Sequence, residues 1–382
     1  MNEIRLGALS KILKQPVLVK KKENLLYLTG RSFLHGYLLV KPKARNGTNL
    51  GRMGTNVVFL GDGLEKMEGV KSDFLKNVGK YIGKKETLEV FGEFTYAEVA
   101  YIKKKNPKLK LKVLVKRDPV DFQRMIKEPG EIALVKKSME IVERVFFEVK
   151  RKLHRRDGSR PVPTEMALAQ YIQKRGLQLG AEDISFPAIV ASGVNAATPH
   201  HVPSAKKLKL GESIIIDFGF KYKNYCSDFT RTVFLKTVPK KLEMAYNQVE
   251  AAYIESIAFI NGKGMPRHAS TQTVPQNVAA RRGVPVKAGD VYQKSVDVLA
   301  EKNLDKYFIH SLGHGTGLEI HELPNLSPGS KDILKDGMVF SIEPGVYIPK
   351  LGGIRIEDLV YLENGKVKKF INVETNLKNN VC

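Results

Sequence analysis

Two acidic residues in the middle of the sequence have the spacing of a shared cation site. Asp217 directly follows the apolar run 214–216, and Asp228 lies eleven positions later. If the two segments form a hairpin that turns near Lys223, antiparallel register places Asp217 opposite Asp228, with the side chains about 5 Å apart. Two carboxylates this close repel each other unless they share a proton or a cation. The spacing therefore predicts a facing acid pair.

A second pair of the same kind occurs towards the end of the sequence. A hairpin that turns near Lys350 would place Glu343 opposite Glu357. Four converging carboxylates suit two divalent cations that lie roughly 3.5–4 Å apart. His314 is flanked by glycines, which leave its imidazole room to approach a metal as a fifth ligand. Together these residues predict a dinuclear metal site.

Two other motifs explain these residues less well. The triplet Asp217-Phe218-Gly219 has the composition of the kinase metal-binding triplet, but no strand-borne Lys motif precedes it and no His-Arg-Asp loop accompanies it. The pair His321-Glu322 lacks the second His of the zincin motif. A single Asp in a strand is usually a turn or edge residue, so the metal prediction depends on the five candidates together.

The apolar periodicity of the sequence predicts the helices and strands that must position these residues. Residues 131–153 have apolar side chains on one helical face, and Pro163-Thr164-Glu165 is typical of a second helix start. The pair Pro129-Gly130 interrupts the pattern and indicates a boundary. Further helices are predicted at residues 72–82, 96–105, 241–259 and 291–302. Strands are predicted at residues 16–20, 37–41, 55–60, 189–191, 213–220, 225–235, 338–342, 346–348, 354–361 and 367–371.

Composition indicates a soluble globular protein, with 42% hydrophobic and 27% charged residues. No run approaches the roughly 20 apolar residues of a membrane helix. The first residues contain no continuous apolar region, so no signal peptide is expected. The two cysteines, Cys226 and Cys382, do not form a disulfide framework. A cytoplasmic location is therefore predicted.

The net charge of +23 is concentrated in the first third of the sequence. Residues 1–127 have 27 Lys and Arg against 12 Asp and Glu, a net +15, with runs at 20–22 and 103–105. Such an excess can attract nucleic acid. No aromatic residues interleave with the basic runs, so we interpret them as a solvated surface and expect no specific nucleic-acid binding.

The five candidate ligands and their contexts resemble the metallopeptidases of the creatinase/methionine aminopeptidase family, whose fold is called pita-bread. The resemblance covers nearly the whole chain and includes residues 23–30, 125–132 and 186–200. It implies an α+β fold with a pita-bread catalytic domain over residues 126–382. A smaller α/β creatinase-like N-terminal domain would precede it over residues 1–125. The resemblance also implies a homodimer.

The family resemblance implies which ligands hold each metal. One metal would bind Asp217, Asp228 and Glu357, and the other would bind Asp228, His314, Glu343 and Glu357. Carboxylate-rich sites favour manganese, although cobalt, zinc or iron also bind such ligands.

Within the family, the sequence is most similar to the Xaa-Pro branch, which comprises aminopeptidase P and prolidase. The features that carry this similarity are the full N-terminal domain, the run from Glu343 to Tyr347, and Arg355, His200, His310 and His321. The branch hydrolyses the bond between an N-terminal residue and proline. The resemblance implies that Glu343 moves the proton, that His321 and His200 bind the scissile carbonyl, and that His310 and Arg355 shape the substrate site. We expect His201 to be structural.

Several alternatives stay open from the sequence. The substrate could be an Xaa-Pro dipeptide or a longer peptide. An aminopeptidase of other specificity, such as methionine aminopeptidase, and a non-catalytic basic binding module share the fold, whereas creatine hydrolysis is disfavoured. Residues 262–287 depart from the family pattern, since they mix Pro, Gly, Ser, Thr and basic residues between two helices. We interpret them as an inserted surface loop.

Overall fold

The computed structural model of the chain describes residues 2–30, 37–42, 57–60, 74–91, 93–114, 118–154, 162–262 and 285–382. The chain divides into two units, Met1–Arg124 and Met125–Cys382. Most of the predicted inserted loop, residues 263–284, lies outside the described residues. No helix in the described ranges is long and apolar enough to span a membrane.

The first unit contains one mixed sheet and short helices. Its strands are β1 Val17–Val19, β2 Tyr37–Val40, β3 Val57–Leu60, β4 Thr87–Phe91 and β5 Lys110–Leu114. Its helices are α1 Asn2–Ile12, α2 Lys22–Thr29, α3 Phe74–Asn77, α4 Tyr96–Lys105 and α5 Pro119–Arg124. The strand order is β3-β2-β1-β4-β5, with parallel pairing of β4 to β1 and to β5 and antiparallel pairing of β2 to its neighbours. The sequence did not predict α1, α2, α5, β4 or β5.

Helix α4 shows why one basic run is a surface feature. Thr95 and Glu98 form a capping box that starts the helix, and Lys103, Lys104 and Lys105 occupy its last turn. All three lysines are exposed. Positive charge at a helix C-terminus is favourable because it faces the negative end of the helix dipole. The run therefore has a local structural explanation.

The second unit consists of a large antiparallel sheet with helices packed against it. Its helices are α6 Pro129–His154, α7 Glu165–Gln178, α8 Lys240–Ile260 and α9 Ala288–Ala300. Its strands are β6 Asp183–Ile184, β7 Ile189–Ser192, β8 Ser213–Asp217, β9 Phe220–Tyr222, β10 Tyr225–Cys226, β11 Phe229–Phe234, β12 Gly313–Gly315, β13 Glu322–Leu326, β14 Val339–Ile342, β15 Gly345–Ile348, β16 Gly352–Arg355, β17 Glu357–Glu363 and β18 Lys366–Lys369.

The main sheet has the strand order β13-β12-β14-β17-β11-β8-β7, and β18 also pairs with β17. Helices α8 and α9 pack together, and apolar side chains such as Tyr246 and Val291 join Phe340 in one core. The predicted helix over residues 131–153 is confirmed as α6, whose buried face includes Val135 and Phe146. The helices therefore bury apolar side chains of the sheet, and the candidate polar residues lie at or near its strand ends.

The predicted pairing of Glu343 with Glu357 is confirmed by the strands on either side of it. Ile342 pairs with Asp358 between β14 and β17, and Gly345 pairs with Arg355 between β15 and β16. Both pairs belong to one register, in which the residue opposite Glu343 is Glu357. The hairpin turns at Lys350, which has a positive φ of 64°.

The predicted pairing of Asp217 with Asp228 is wrong by two residues. The structure pairs Asp217 with Thr230 across β8 and β11. The reason is the turn, where Lys223 and Asn224 both have positive φ, of 47° and 69°. This is the backbone pattern of a two-residue type I′ hairpin turn. The predicted pairing places the centre of the turn just before Lys223, whereas the observed centre lies between Lys223 and Asn224. Moving the centre of a hairpin by one residue moves the residue opposite Asp217 by two positions.

The paired strands β11 and β17 place different polar side chains on the two faces of the sheet. Thr230 pairs with Glu357 on one face, and Phe229 pairs with Asp358 on the other face. On that second face the fully buried Arg231 forms an ion pair with Asp358, with Nη2 2.7 Å from Oδ1. Arg231 also donates through Nη1 to the Glu357 carbonyl at 2.6 Å. The candidate ligand Glu357 thus has its backbone held from the face opposite its side chain.

Candidate metal centre

All five candidate ligands come from neighbouring strands of the main sheet. Asp217 ends β8, and Asp228 immediately precedes β11. His314 is the middle residue of β12, Glu343 follows β14, and Glu357 begins β17. Since these strands are consecutive in the order β12-β14-β17-β11-β8, the sheet brings together residues that are up to 140 positions apart in the sequence.

Three of the candidates form a compact cluster. Asp228, His314 and Glu357 each offer one ligand atom, and these atoms lie within 4.8 Å of one another. His314 Nε2 is 3.4 Å from Asp228 Oδ2 and 3.4 Å from Glu343 Oε1. Asp217 Oδ2 instead contacts the guanidinium of Arg355, with Nη2 2.5 Å away. The structure therefore centres the site on His314 and places Asp217 at its edge.

The imidazole of His314 has the orientation that a metal ligand needs. Its Nδ1 lies 3.0 Å from the Gly315 carbonyl, which can only accept, so the ring proton belongs on Nδ1. Nε2 is then left with its lone pair towards the carboxylates. A hydrogen bond to the far nitrogen commonly fixes a metal-binding histidine in this way. Burial lowers the pKa of His314, which favours the neutral form that binds metal.

The glycines beside His314 have a more specific role than the sequence suggested. A side chain at Gly313 would collide with the Ser341 carbonyl, and one at Gly315 would collide with the Leu323 carbonyl. The glycines therefore allow β12 to approach the strands on both sides, and this close approach brings His314 to the carboxylates.

Burial and mutual repulsion raise the pKa values of the clustered carboxylates. Burial, followed by repulsion from Glu357, Asp217 and Glu343, raises the pKa of Asp228 well above its ordinary value. Burial and repulsion from Glu343 and Asp217 do the same to the pKa of Glu357. Burial raises the pKa of Glu343 to about 8. For Asp217, burial also raises the pKa, although Arg355 opposes the shift. Such a cluster requires protons or cations.

Two buried carboxylate oxygens indicate that cations fit here. Asp217 Oδ1 and Glu357 Oε1 are shielded from solvent and have no hydrogen-bond partner among the described residues. A buried carboxylate oxygen without a partner is costly. Oxygen ligands and one imidazole are a donor set that suits hard or borderline divalent ions. The residues therefore fit a divalent metal centre.

Hydroxyl groups that the sequence analysis missed orient the ligands. Thr230 donates to Glu357 Oε2 at 2.6 Å, and Ser341 donates to Glu343 Oε1 at 3.0 Å. Thr230 lies on β11, which follows Asp228, and Ser341 lies on β14, which precedes Glu343. Alternation along the strands could not have identified Thr230, because the register of β17 with β11 is needed to place it opposite Glu357.

Arg355 connects the site to the wall of the cavity. Besides Asp217, it donates through Nη1 to the Tyr347 hydroxyl at 2.6 Å. The Tyr347 hydroxyl lies 2.8 Å from His310 Nε2, and His310 Nδ1 lies 2.7 Å from the Ser311 carbonyl. Since that carbonyl only accepts, His310 has its proton on Nδ1 and accepts from Tyr347 through Nε2. Both nitrogens of His310 are thus used within the protein.

The predicted site residues line one cavity of about 560 Å³. His321 packs beside His314 with ring centroids 4.3 Å apart, while the side chain of His200 is exposed. His201 pairs with Glu165 at 2.9 Å. The predicted site residues found in the lining are Asp217, Asp228, His314, Glu343, Glu357, His200, His310, His321 and Arg355. The cavity is thus a cleft with an acidic floor and histidine-bearing walls.

The sequence is similar to characterised and uncharacterised peptidases. A family model described as metallopeptidase family M24 matches residues 133–364. An Xaa-Pro dipeptidase of Pyrococcus furiosus is 32% identical over 312 residues, which cover 82% of this chain and 81% of the relative. A putative Xaa-Pro aminopeptidase of Mycoplasma pneumoniae is 32% identical over 369 residues, which cover 95% of each protein.

Solved structures show the same architecture. The prolidase from Pyrococcus horikoshii OT3 matches with a TM-score of 0.78 and 26% identity, covering 98% of this chain and 99% of that structure. An Xaa-Pro dipeptidase from Bacillus anthracis matches with a TM-score of 0.80 and 25% identity, covering 99% of each. The predicted fold class, an α+β pita-bread domain preceded by an N-terminal domain, is confirmed. Because the family model matches more than half of the chain and includes all five candidate ligands, the chain belongs to metallopeptidase family M24.

Proposed function

We propose that this metallopeptidase hydrolyses the peptide bond between an N-terminal residue and proline. The observation that carries the proposal is the cluster of buried carboxylates around His314 at the floor of a 560 Å³ cavity. The names of the relatives, Xaa-Pro dipeptidase and putative Xaa-Pro aminopeptidase, support the substrate class. The peptide bond before proline is a tertiary amide, so the site needs a shaped pocket rather than an acceptor for an amide hydrogen.

The ligand assignment follows the family resemblance and the contacts of the site. Asp217, Asp228 and Glu357 would hold one divalent ion, and His314 and Glu343 would complete the second position with Asp228 and Glu357. When bound, such ions act as Lewis acids and lower the pKa of water. Two ions with manganese as the native metal are part of this proposal, because the donors are mainly carboxylates.

Glu343 is proposed as the group that moves the proton. In the metal-free protein burial raises its pKa to about 8, so the carboxyl group there holds a proton more readily than an exposed Glu does. It would accept a proton from the attacking water and deliver it to the proline nitrogen as the amide bond breaks. General acid–base catalysis works best when the pKa lies near the working pH.

His321 and His200 are proposed to contact the scissile carbonyl. Burial, together with the nearby His314 and His200, lowers the pKa of His321 to about 4. A neutral imidazole can donate one N–H to the oxygen on which negative charge develops. Both histidines line the cavity from different segments of the chain. His310 and Arg355 would instead shape the wall through Tyr347, since the His310 nitrogens already have partners.

The cavity wall also suits a pyrrolidine ring. Apolar side chains line it beside the polar floor, including Phe186, Pro187, Pro203 and Ile189. Proline has a fixed φ and buries a compact apolar ring at little entropic cost. Alanine in the same position loses this contact, and one or two methylenes contribute about 1–3 kcal/mol. We therefore expect a preference for proline over alanine of roughly 10- to 200-fold in kcat/KM.

The test compares kcat/KM for Ala-Pro-Ala, Ala-Ala-Ala and N-acetyl-Ala-Pro-Ala with protein reconstituted with manganese. We expect cleavage of the first peptide, weaker cleavage of the second, and little cleavage of the third because its amino terminus is blocked. Equal rates for the first two would favour a general aminopeptidase. Including the dipeptide Ala-Pro distinguishes a dipeptidase from an aminopeptidase that acts on longer peptides.

Four broader assignments accompany the proposal. The creatinase-like domain would comprise residues 1–125 and the catalytic domain residues 126–382. The protein would act in the cytoplasm as a homodimer, without a specific nucleic-acid partner. Size-exclusion chromatography with light scattering measures the oligomeric state directly.

A further inference from the structure

Glu165 is a buried carboxylate outside the metal site. It begins α7 directly after the N-cap residue Thr164, and its side chain is fully shielded from solvent. A carboxylate in this environment is costly unless several donors satisfy it. The side chain of Glu165 must therefore have a dense set of partners.

Among the described residues, the hydrogen-bond partners of the Glu165 carboxylate belong to one segment, residues 192–204. Ser192 donates through its backbone N–H and its hydroxyl, both at 2.7 Å. Ser204 donates through its N–H at 3.1 Å and its hydroxyl at 2.6 Å. Asn195 Nδ2 lies 3.1 Å from both carboxylate oxygens, and His201 Nε2 lies 2.9 Å from Oε2. The carboxylate thus holds both ends and the middle of the segment.

This segment forms one wall of the cleft. Pro199, His200 and Pro203 all line the cavity that contains the metal ligands. From the metal side, Arg355 Nη1 lies 3.4 Å from the Pro199 carbonyl. The segment is therefore held between the metal site and the Glu165 carboxylate, with His200 between the two attachments.

The charge of Glu165 persists at neutral pH. Burial alone would raise its pKa, but hydrogen bonds from Ser204, Ser192 and His201 lower the pKa to about 2. Hydrogen bonds to an ionised acceptor are roughly twice as strong as bonds between neutral groups. The ionised carboxylate can thus fix the segment firmly.

We propose that Glu165 and His201 are positioning residues for His200, and that the Glu165–His201 contact sets the place of the His200 side chain in the cleft. This inference rests on the proposed contact of His200 with the substrate carbonyl. Both adjacent histidines line the cavity, but His201 Nε2 lies 2.9 Å from Glu165, so His201 holds the segment while the exposed His200 faces the substrate. A displacement of about 1 Å in a positioned group can reduce turnover roughly 100-fold.

The first variant to test is His201→Phe, because it keeps a planar ring but removes the donor to Glu165. We expect kcat for Ala-Pro-Ala to fall roughly 10- to 100-fold while bound metal per chain stays near wild type. KM should change less than kcat if the lost contact matters mainly in the transition state. His201→Gln restores an N–H at similar reach and should recover most of kcat. Glu165→Gln removes more contacts, so it serves only as a second variant.

A double-mutant cycle with His200→Ala distinguishes positioning from general damage. If His201 acts through His200, His201→Phe should have little further effect on kcat in the His200→Ala background. An equal loss in both backgrounds would overturn the positioning role and leave the proposed function intact. A His200→Ala variant with wild-type kcat would overturn the substrate role of His200 and the inference with it.

The matched control is Glu148→Gln. Glu148 pairs with Arg175 of the same helix α7, with Nε 2.6 Å from Oε2, but it does not line the active cavity. Its loss should leave kcat and the effect of His201→Phe unchanged. A comparable fall in kcat for the control would overturn the inference, because any disturbance of α7 would then suffice.

Discussion

Arg355 and Asp217 form a buried ion pair whose Nη2 and Oδ2 atoms are 2.5 Å apart. The same guanidinium contacts Thr230 Oγ1 through Nε at 3.2 Å. Thr230 in turn donates to Glu357 at 2.6 Å. Two carboxylates on different strands are therefore connected through one arginine and one threonine. Hydrogen bonds of this kind orient ligands that bind metal directly.

The first prediction concerns this connection. Thr230→Val keeps the shape of the side chain but removes the hydroxyl between Arg355 and Glu357. We expect the metal affinity to fall roughly 10- to 100-fold, because the Glu357 carboxylate loses the donor that orients it. Isothermal titration with Mn²⁺ measures the change in Kd.

Thr375→Val provides the comparison. Thr375 donates to Glu250 at 2.8 Å, so the variant removes a threonine–glutamate hydrogen bond that lies outside the cavity lining. It should cost stability without altering the Kd for metal. A similar loss of affinity in both variants would contradict a specific role for Thr230.

The second prediction separates proton transfer from metal binding. Glu343→Gln keeps an oxygen ligand but cannot exchange a proton, so we expect kcat to fall roughly 100- to 10,000-fold with most of the metal retained. Asp228→Ala should lose both metal and activity, since it removes a ligand of the central cluster. Single-turnover assays together with metal analysis of the same samples test both variants. Near-normal turnover of Glu343→Gln would rule out the proton-transfer role.

The third prediction concerns pH and metal together. In metal-free protein the pKa of Glu343 is raised from 4.5 to about 8, and those of Asp228 and Glu357 are raised in the same direction. A raised folded-state pKa contributes stability that is fully present below the unfolded value of 4.5 and lost as pH rises through about 8. The unfolding free energy of the metal-free protein should therefore decline across this range.

Metal should reverse this decline. Binding requires ionised ligands, so it stabilises the protein more at the alkaline end of the range than at the acidic end. At a free Mn²⁺ concentration of about 100 times Kd, the gain is about 2.7 kcal/mol. Urea unfolding with and without chelator at several pH values measures both effects. A metal-free protein whose stability rises steadily towards pH 8 would contradict the assignment of these buried carboxylates.

The sequence predicted which residues line the cavity better than it predicted the register of the strands that carry them. The Glu343–Glu357 register could be predicted because the hairpin turns at Lys350, which is also the turn position that the sequence predicts. The register of Asp217 failed because a turn displaced by about one residue changes the partner by two. Hairpin register depends on the turn type, and Lys223-Asn224 is a weaker sequence signal for a type I′ turn than Asn-Gly.

Other parts of the site depend on contacts that no short motif encodes. Glu165 meets its partners 27 to 39 positions further along the chain. The polar sequence around Ser192 and Ser204 gave no signal of a shared acceptor, because hydroxyl and amide donors are common in any loop. Similarly, the proton position of His310 follows from the Ser311 carbonyl and the Tyr347 hydroxyl, which only a folded chain brings together.

The two faces of β17 place a constraint on insertions and deletions. Glu357 belongs to the metal cluster, and the next residue, Asp358, pairs with the buried Arg231 on the other side of the sheet. Removing one residue from the middle of this ladder would exchange the faces of all the side chains beyond it. The Arg231 face would lose its paired acid and the cleft would lose a candidate ligand. One deletion would therefore damage both faces, whereas a substitution at either residue would damage one. Changes in chain length during the divergence of such proteins should therefore collect in the connecting loops and spare this pair of strands.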